Sequence, residues 1–316
     1  MTSDRRTNLT SGTAPRDPEE LEAETPAGLA EISPLTTLGP VHLTVANLDR
    51  SLDYYLTSIG LEVVGKGHGR CSLGSGAREL LVLVEEPGAK SAAGYTGLYH
   101  FALLVPQRVD LARWLAHAAR ERLPLVGLSD HFVSEAIYLT DPDGHGIEIY
   151  WDRPREHWEG QVRKRMTTLP LDVPSLMREI ASDVGTPAPA IFTGLPPGTS
   201  MGHVHLKVAD IAKTVAFYRD VLGFALMAQL GPQAAFLSAG GYHHHLGANI
   251  WESAGAPPPP AGTTALRHVT IVLPNRAERD AVSARLKASG HPANESGAGL
   301  LVQDPAGNSI VLVVAG

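Results

Sequence analysis

The chain has a single cysteine, Cys71, among 316 residues. One thiol can form no internal disulfide and no cysteine-based metal cage, which points to a reducing, cytoplasmic setting. Positive charge is also in short supply. With 26 Lys and Arg against 33 Asp and Glu, the formal net charge is -7, so no nucleic acid or anionic membrane partner is expected. No apolar run approaches the ~20 residues of a membrane-spanning helix, and no signal-like apolar segment follows Arg5 and Arg6. Composition leaves the subunit number open, a homo-oligomer included.

What the chain does have is histidine and repetition. The stretch Gly202 to Phe224, GHVHLKVADIAKTVAFYRDVLGF, alternates His203, His205 and Lys207 with Val204, Leu206 and Val208. A strand here puts two imidazoles and an ammonium on one face and aliphatics on the other. Asp210 stands where a helix N-cap is wanted, Val215, Tyr218, Val221 and Leu222 form one helical stripe, and Gly223 is a C-cap signal. Near the N-terminus Gly39, Val41, His42, Leu43, Val45, Tyr55 and Gly60 each match the residue 163 places later, so the unit is an internal repeat.

Two more units follow the same plan. One starts at GLYHFALLVP with His100, shows a helical stripe through Leu111, Trp114, Leu115 and Ala118, and closes with AIYLTDPDGHGIEIYW. In that closing segment DPDG is a turn signal, and Glu148 alternates with Ile147 and Ile149. The other starts at ALRHVTIVLP with His268, carries a helix around 277–289, and ends in LVQDPAGNSIVLVV, where Val311 stands in place of Glu148. The chain therefore divides into a polar, disordered tail over 1–35, a first domain over 38–152, a charged and Pro/Gly-rich connector over 153–200 with one helix near 173–181, and a second domain over 201–316. A unit with one amphipathic helix and one sheet face cannot bury that face alone, so the four units must pair.

The repeated pattern HV.L.V.D with FY...LGF, and DPDG.GIE closing the second unit, resembles the vicinal oxygen chelate superfamily. The segments GLYHFALLVP, SEAIYLTDPDGHGIEIYWDRP and SAGGYHHHLGANIW are most similar to its two-domain catechol 2,3-dioxygenase type. The resemblance implies an α+β fold of four βαβββ modules paired into two half-open barrels. It also implies an extradiol dioxygenase that inserts dioxygen into a catechol-like diol held on Fe(II) or Mn(II), with the diol and dioxygen as its partners.

Matched position by position, the resemblance gives His100, Glu148 and His203 as metal ligands, with His268 as the alternate. A facial set of two neutral imidazoles and one carboxylate suits Fe(II) oxygen chemistry because it leaves positions open. The set is complete only if the second and third modules pair, which the long connector allows and which some family members do; paired in chain order, neither barrel is complete, unless His42 serves the first. His244 aligns as the acid/base, Tyr242 and Tyr150 as hydrogen-bond donors to a metal-bound oxygen, and Lys207 as a stabiliser of developing negative charge. Against this stands the ordinary reading in which a strand histidine is structural. A metal-free small-molecule binding protein of the bleomycin-resistance kind and a glyoxalase-type lyase remain as alternatives.

Overall fold

A computed structural model of the chain describes residues 20–21, 30–182 and 192–316. Each of the four repeats is one strand, one helix and three strands. The first comprises β1 (Thr37–Val45), α1 (Leu48–Tyr54), β2 (Glu62–Gly67), β3 (Arg70–Ser75) and β4 (Arg78–Glu85). The second comprises β5 (Gly97–Leu104), α2 (Arg108–Glu121), β6 (Gly127–Asp130), β7 (Ser134–Thr140) and β8 (Gly146–Asp152). The connector carries α3 (Val162–Arg165), a two-residue strand Leu169–Pro170 and α4 (Val173–Ser182). The third module holds β9 (Ser200–Lys207), α5 (Ile211–Val215), β10 (Ala225–Leu230), β11 (Ala234–Ser238) and β12 (Leu246–Asn249). The fourth holds β13 (Leu266–Leu273), α6 (Arg276–Ala288), β14 (Ala293–Ser296), β15 (Gly299–Gln303) and β16 (Ser309–Val314).

The local signals act as their chemistry requires. The Asp210 carboxylate accepts the Lys213 N–H at 3.0 Å, capping α5, and Asn47 and Asn275 cap α1 and α6 in the same way. Beyond α1 and α5 the chain continues as wider π-turns, Tyr55–Ile59 and Ala216–Leu222, which helical periodicity does not foretell. Each stops at a glycine in the left-handed region, Gly60 at φ 86° and Gly223 at φ 92°. The tyrosines of those turns reach across to the repeated aspartates: Tyr55 Oη donates to Asp141 at 2.8 Å and Tyr218 Oη to Asp304 at 3.1 Å. Asp141 meanwhile accepts the backbone N–H groups of Asp143 and His145, fixing the DPDG turn. These buried bonds tie consecutive modules together.

The sheets, however, join modules that are not consecutive. One runs β10-β11-β12-β9-β5-β8-β7-β6 and so combines the third module with the second; the other runs β14-β15-β16-β13-β1-β4-β3-β2 and combines the fourth with the first. At each junction two first strands pair antiparallel, β9 with β5 and β13 with β1. The aliphatic face of β9, Val204 and Leu206, is fully buried in the main core with Phe101, Leu103, Ile147 and Ile149. At ~1.5–3 kcal/mol for each large aliphatic side chain removed from water, this face anchors the junction.

Of the expected tail, residues 1–19 and 22–29 lie outside the described residues. Glu20–Leu21 pairs with β10, and Ile32 is buried, its N–H donating to Gly223 O at 2.8 Å. Among the described residues, no helix is long and apolar enough to cross a membrane.

Candidate functional site

The register of the first sheet builds the site. Across β9, β5, β8 and β7 one rung reads His203, Ala102, Glu148 and Tyr138, because His203 and Glu148 both pair with Ala102 and Tyr138 pairs with Glu148. Paired residues share a face, and Ala102 is small enough to leave space between the two side chains that flank it. The next rung holds His205 opposite His100, on that same face two residues along each strand. A Cβ at Gly247, which pairs with His205, would lie 2.9 Å from the His205 ring, so glycine is needed there to seat the imidazole.

One donor atom from each of His100, Glu148 and His203 lies within 4.8 Å of the others, and all three residues are buried. Both His100 Nε2 and His203 Nε2 are 3.0 Å from Glu148 Oε2. Only the His203 contact is directed as a hydrogen bond; His100 Nε2 and His203 Nδ1 are buried without a partner. Burial raises the Glu148 carboxyl, but His203 and His100 together hold it well below the usual carboxylate range. Burial also lowers His203, outweighing the attraction of Glu148, so its imidazole is neutral. An ionised carboxylate, a neutral imidazole and an orphaned ring nitrogen crowded about one point are what a divalent cation of intermediate softness requires. The residues present fit such an ion.

His244 lies beside this set, its ring centroid 4.2 Å from that of His203. Burial and the neighbouring imidazoles of His203, His243, His205 and His100 hold it well below the ordinary histidine range, so the imidazole is neutral. Behind it runs a chain of hydrogen bonds: His243 Nδ1 is 2.8 Å from His244 Nδ1, and His243 Nε2 is 2.8 Å from Asp152 Oδ1. In the tautomer of His243 that donates Nε2–H to the carboxylate and keeps Nδ1 unprotonated, His243 Nδ1 accepts from His244 Nδ1–H. That leaves His244 Nε2 as a lone pair for the cavity this residue lines.

The other expected residues fall differently. Tyr242 does not line this cavity; its hydroxyl donates to Asp152 Oδ2 at 2.7 Å and lies 2.8 Å from Tyr150 Oη. Tyr242, expected to face a metal-bound oxygen together with Tyr150, is thus placed on Asp152, with Tyr150 on Tyr242, because the turn before β12 aims Tyr242 at the end of β8. Tyr150 in turn packs against Gly202, where a Cβ would meet Tyr150 Oη at 1.8 Å. Lys207 lines the cavity with its Nζ 4.0 Å from Glu252 Oε2. His268 is not brought to the cluster: it lies in the other sheet, stacked on His42 with ring centroids 3.8 Å apart.

Two contributors were not singled out in the sequence. Tyr138 sits on the rung beside Glu148 and is held well above the ordinary phenol range by burial and that carboxylate, so its hydroxyl stays protonated. His131 Nδ1–H donates to Thr167 O at 2.8 Å, which leaves His131 Nε2 to accept from the Tyr138 hydroxyl at 2.7 Å. The alternation in SEAIYLT was the available signal for Tyr138, since it fixes which side chains share a face once the register to Glu148 is known.

Comparison with known proteins agrees with this architecture. The model of the Glyoxalase/Bleomycin resistance protein/Dioxygenase superfamily matches residues 37–149 and 200–312. The chain is 41% identical over 285 residues, 88% of its length and 97% of the relative's, to catechol-2,3-dioxygenase of Bacillus subtilis (strain 168). It is 24% identical over 137 residues, 40% of its length and 43% of the relative's, to the putative ring-cleaving dioxygenase MhqA of Bacillus subtilis (strain 168). Its fold is similar to that of a putative dioxygenase from Bacillus subtilis, with a TM-score of 0.61 at 14% identity over 90% of this chain and 86% of the other. It is also similar to that of glyoxalase I from Zea mays, with a TM-score of 0.53 at 16% identity over 88% and 92%. A duplicated βαβββ architecture matched in both halves, together with this degree of identity, means that the chain belongs to the glyoxalase/bleomycin resistance protein/dioxygenase superfamily.

Proposed function

We propose that the chain is an extradiol ring-cleaving dioxygenase in which His100, His203 and Glu148 hold Fe(II) or Mn(II), and that its substrates are a catechol-like diol and dioxygen. The observation that carries this is the buried two-imidazole, one-carboxylate cluster at the floor of a cavity, joined to 41% identity with a catechol-2,3-dioxygenase. The metal, when bound, supplies a Lewis acid with positions open to both diol oxygens and to dioxygen.

The chain's own groups do the rest. His244 Nε2 takes the proton of a diol hydroxyl and later returns it, its opposite nitrogen held by His243 and, through it, by Asp152. Buried Phe236 and Val133 keep bulk water from the walls. A glyoxalase-type lyase has less support, since the cluster contributes a single carboxylate.

Protein reconstituted with Fe(II) without oxygen should consume oxygen when given catechol in air and yield a yellow ring-fission product. Glu148→Val should lose stoichiometric metal by elemental analysis and more than about 100-fold of that oxygen uptake, since even residues supporting a ligand are worth about 10–100-fold. Full metal content in the Glu148→Val protein would overturn the ligand assignment. No oxygen uptake over a panel of diols would overturn the activity.

A further inference from the structure

The second barrel lacks the acid of the first and gathers positive charge instead. On the face of its sheet that corresponds to the cavity face of the first, one rung reads His268, His42, Val82 and Ser72, each paired with the next, and the rung beside it reads Thr44, Val84 and Arg70. Paired residues share a face and alternate residues along β1 and β3 return to it, so Thr44 and Arg70 stand beside the stacked imidazoles of His42 and His268. Arg267 joins them through a bulge. The register between β13 and β1 passes from Leu266 opposite Leu43 to His268 opposite His42, leaving Arg267 as the extra residue, and its Nη1 donates to Thr44 Oγ1 at 3.3 Å. The first sheet has the same irregularity on β5, where the extra residue, Tyr99, lines the cavity beside His100 with its ring 5.3 Å from that of His205. An aromatic ring there is replaced by a guanidinium here.

Among the described residues nothing acidic answers this charge. Apart from the rings themselves, the charges acting on His42 and His268 are those of Arg70 and Arg267, and no carboxylate is among them. No ion pair engages either guanidinium, and neither half-buried imidazole has a hydrogen-bond partner, among the described residues. In a chain of formal net charge -7, two unpaired guanidiniums over two imidazoles make a local positive field that repels a cation and draws an anion. The donors also outnumber what the two oxygens of one carboxylate accept, since each guanidinium fork offers a pair of parallel N–H groups and each neutral imidazole one more. A phosphate group has oxygens enough to take them.

We propose that the second barrel holds a phosphate group, as the free ion or as the end of a phosphate monoester, between the Arg70 and Arg267 guanidiniums and the open edges of His42 and His268. This site lies in the other sheet from His100, Glu148 and His203, and it stands or falls independently of ring cleavage.

Calorimetric titration of the full chain in chloride buffer at constant ionic strength, with inorganic phosphate, phenyl phosphate and acetate, tests it. One of the two phosphates should bind saturably at one site per chain, the tighter of them naming the source, and acetate should bind at least about tenfold more weakly. Arg70→Gln and Arg267→Gln should each weaken that phosphate at least about tenfold. Both residues are exposed, so substitution should leave the fold intact and metal content and oxygen uptake within about twofold of the parent. Bound phosphate should shift the imidazole NMR signals of His42 and His268 and leave that of His131, which lines the first cavity, in place. No saturable binding, acetate as tight as phosphate, or phosphate affinity unchanged in either variant overturns the inference. A shift of His131 in place of His42 and His268 would move the anion to the first cavity and overturns it likewise.

Discussion

The two sheets follow one plan and differ on one rung. In the first, His203, Ala102, Glu148 and Tyr138 stand side by side. In the second, the matching positions of the fourth module are Thr270, Val311 and Leu301. The junction is irregular there: the register between β13 and β1 shifts from Val269 opposite Val41 to Ile271 opposite Leu38, so Pro40, which has no N–H to give, falls where pairing lapses. The imidazoles of the adjoining rung persist, since His42 faces His268 as His205 faces His100. Beside His42, however, stands Val82, where Gly247 stands beside His205. The barrel shape survives without that acid. A half-barrel is a scaffold, and a few side chains on one rung decide whether it holds a cation.

Writing the missing acid into the second sheet is the harshest way to probe that difference. Val311→Glu buries a carboxylate between Thr270 and Leu301 on a rung with no imidazole of its own, and should cost up to about 3–5 kcal/mol, the scale of an uncompensated buried charge. Urea unfolding of the variant measures this; unchanged stability, or a second equivalent of bound metal, would mean that the second barrel is a latent site.

A milder substitution removes what supports the proposed proton acceptor, His244. The position matching Asp152 in the fourth module is Ala315, and Asp152→Ala should lower turnover about tenfold while metal content stays unchanged. Loss of metal together with turnover would show that Asp152 supports the cluster and not His244.

The smallest effect concerns acid stability. Burial, reinforced by His268, Arg70 and Arg267, lowers His42 to about 3, and burial with Arg267 and Arg70 lowers His268 to about 4. Both imidazoles therefore stay neutral in the fold while their unfolded counterparts take up protons below about 6.5. Unfolded chains then bind more protons, so stability declines as pH falls from about 6.5 toward 4. Replacing both residues with Gln should flatten that decline in melting temperature against pH. An unaltered slope would place the acid sensitivity elsewhere.

Much of this was legible in the residues. The Asp210 cap, the Gly223 stop, the DPDG turn and the helix at Val173–Ser182 announce themselves because each depends on a few neighbouring residues. The candidate ligands came from the family resemblance matched position by position, and alternation within β5, β8 and β9 puts them on one face. Which modules share a sheet could be favoured from the ligand set but not read from any one strand, because all four first strands carry compatible aliphatic faces and pairing is a long-range choice. The turn ahead of β12 hid the rest: Tyr242, His243 and His244 lie outside regular structure, so no period told which of them would face the cavity and which would reach Asp152.

The crossed pairing of modules has a consequence for inheritance. His100 and Glu148 lie before the connector and His203 and His244 after it, so on the assignment proposed above neither half carries the whole site. A fragment ending at 182 and another beginning at 192 would each be chemically mute, and any complementation between them would report the reunion of one sheet from two separate polypeptides.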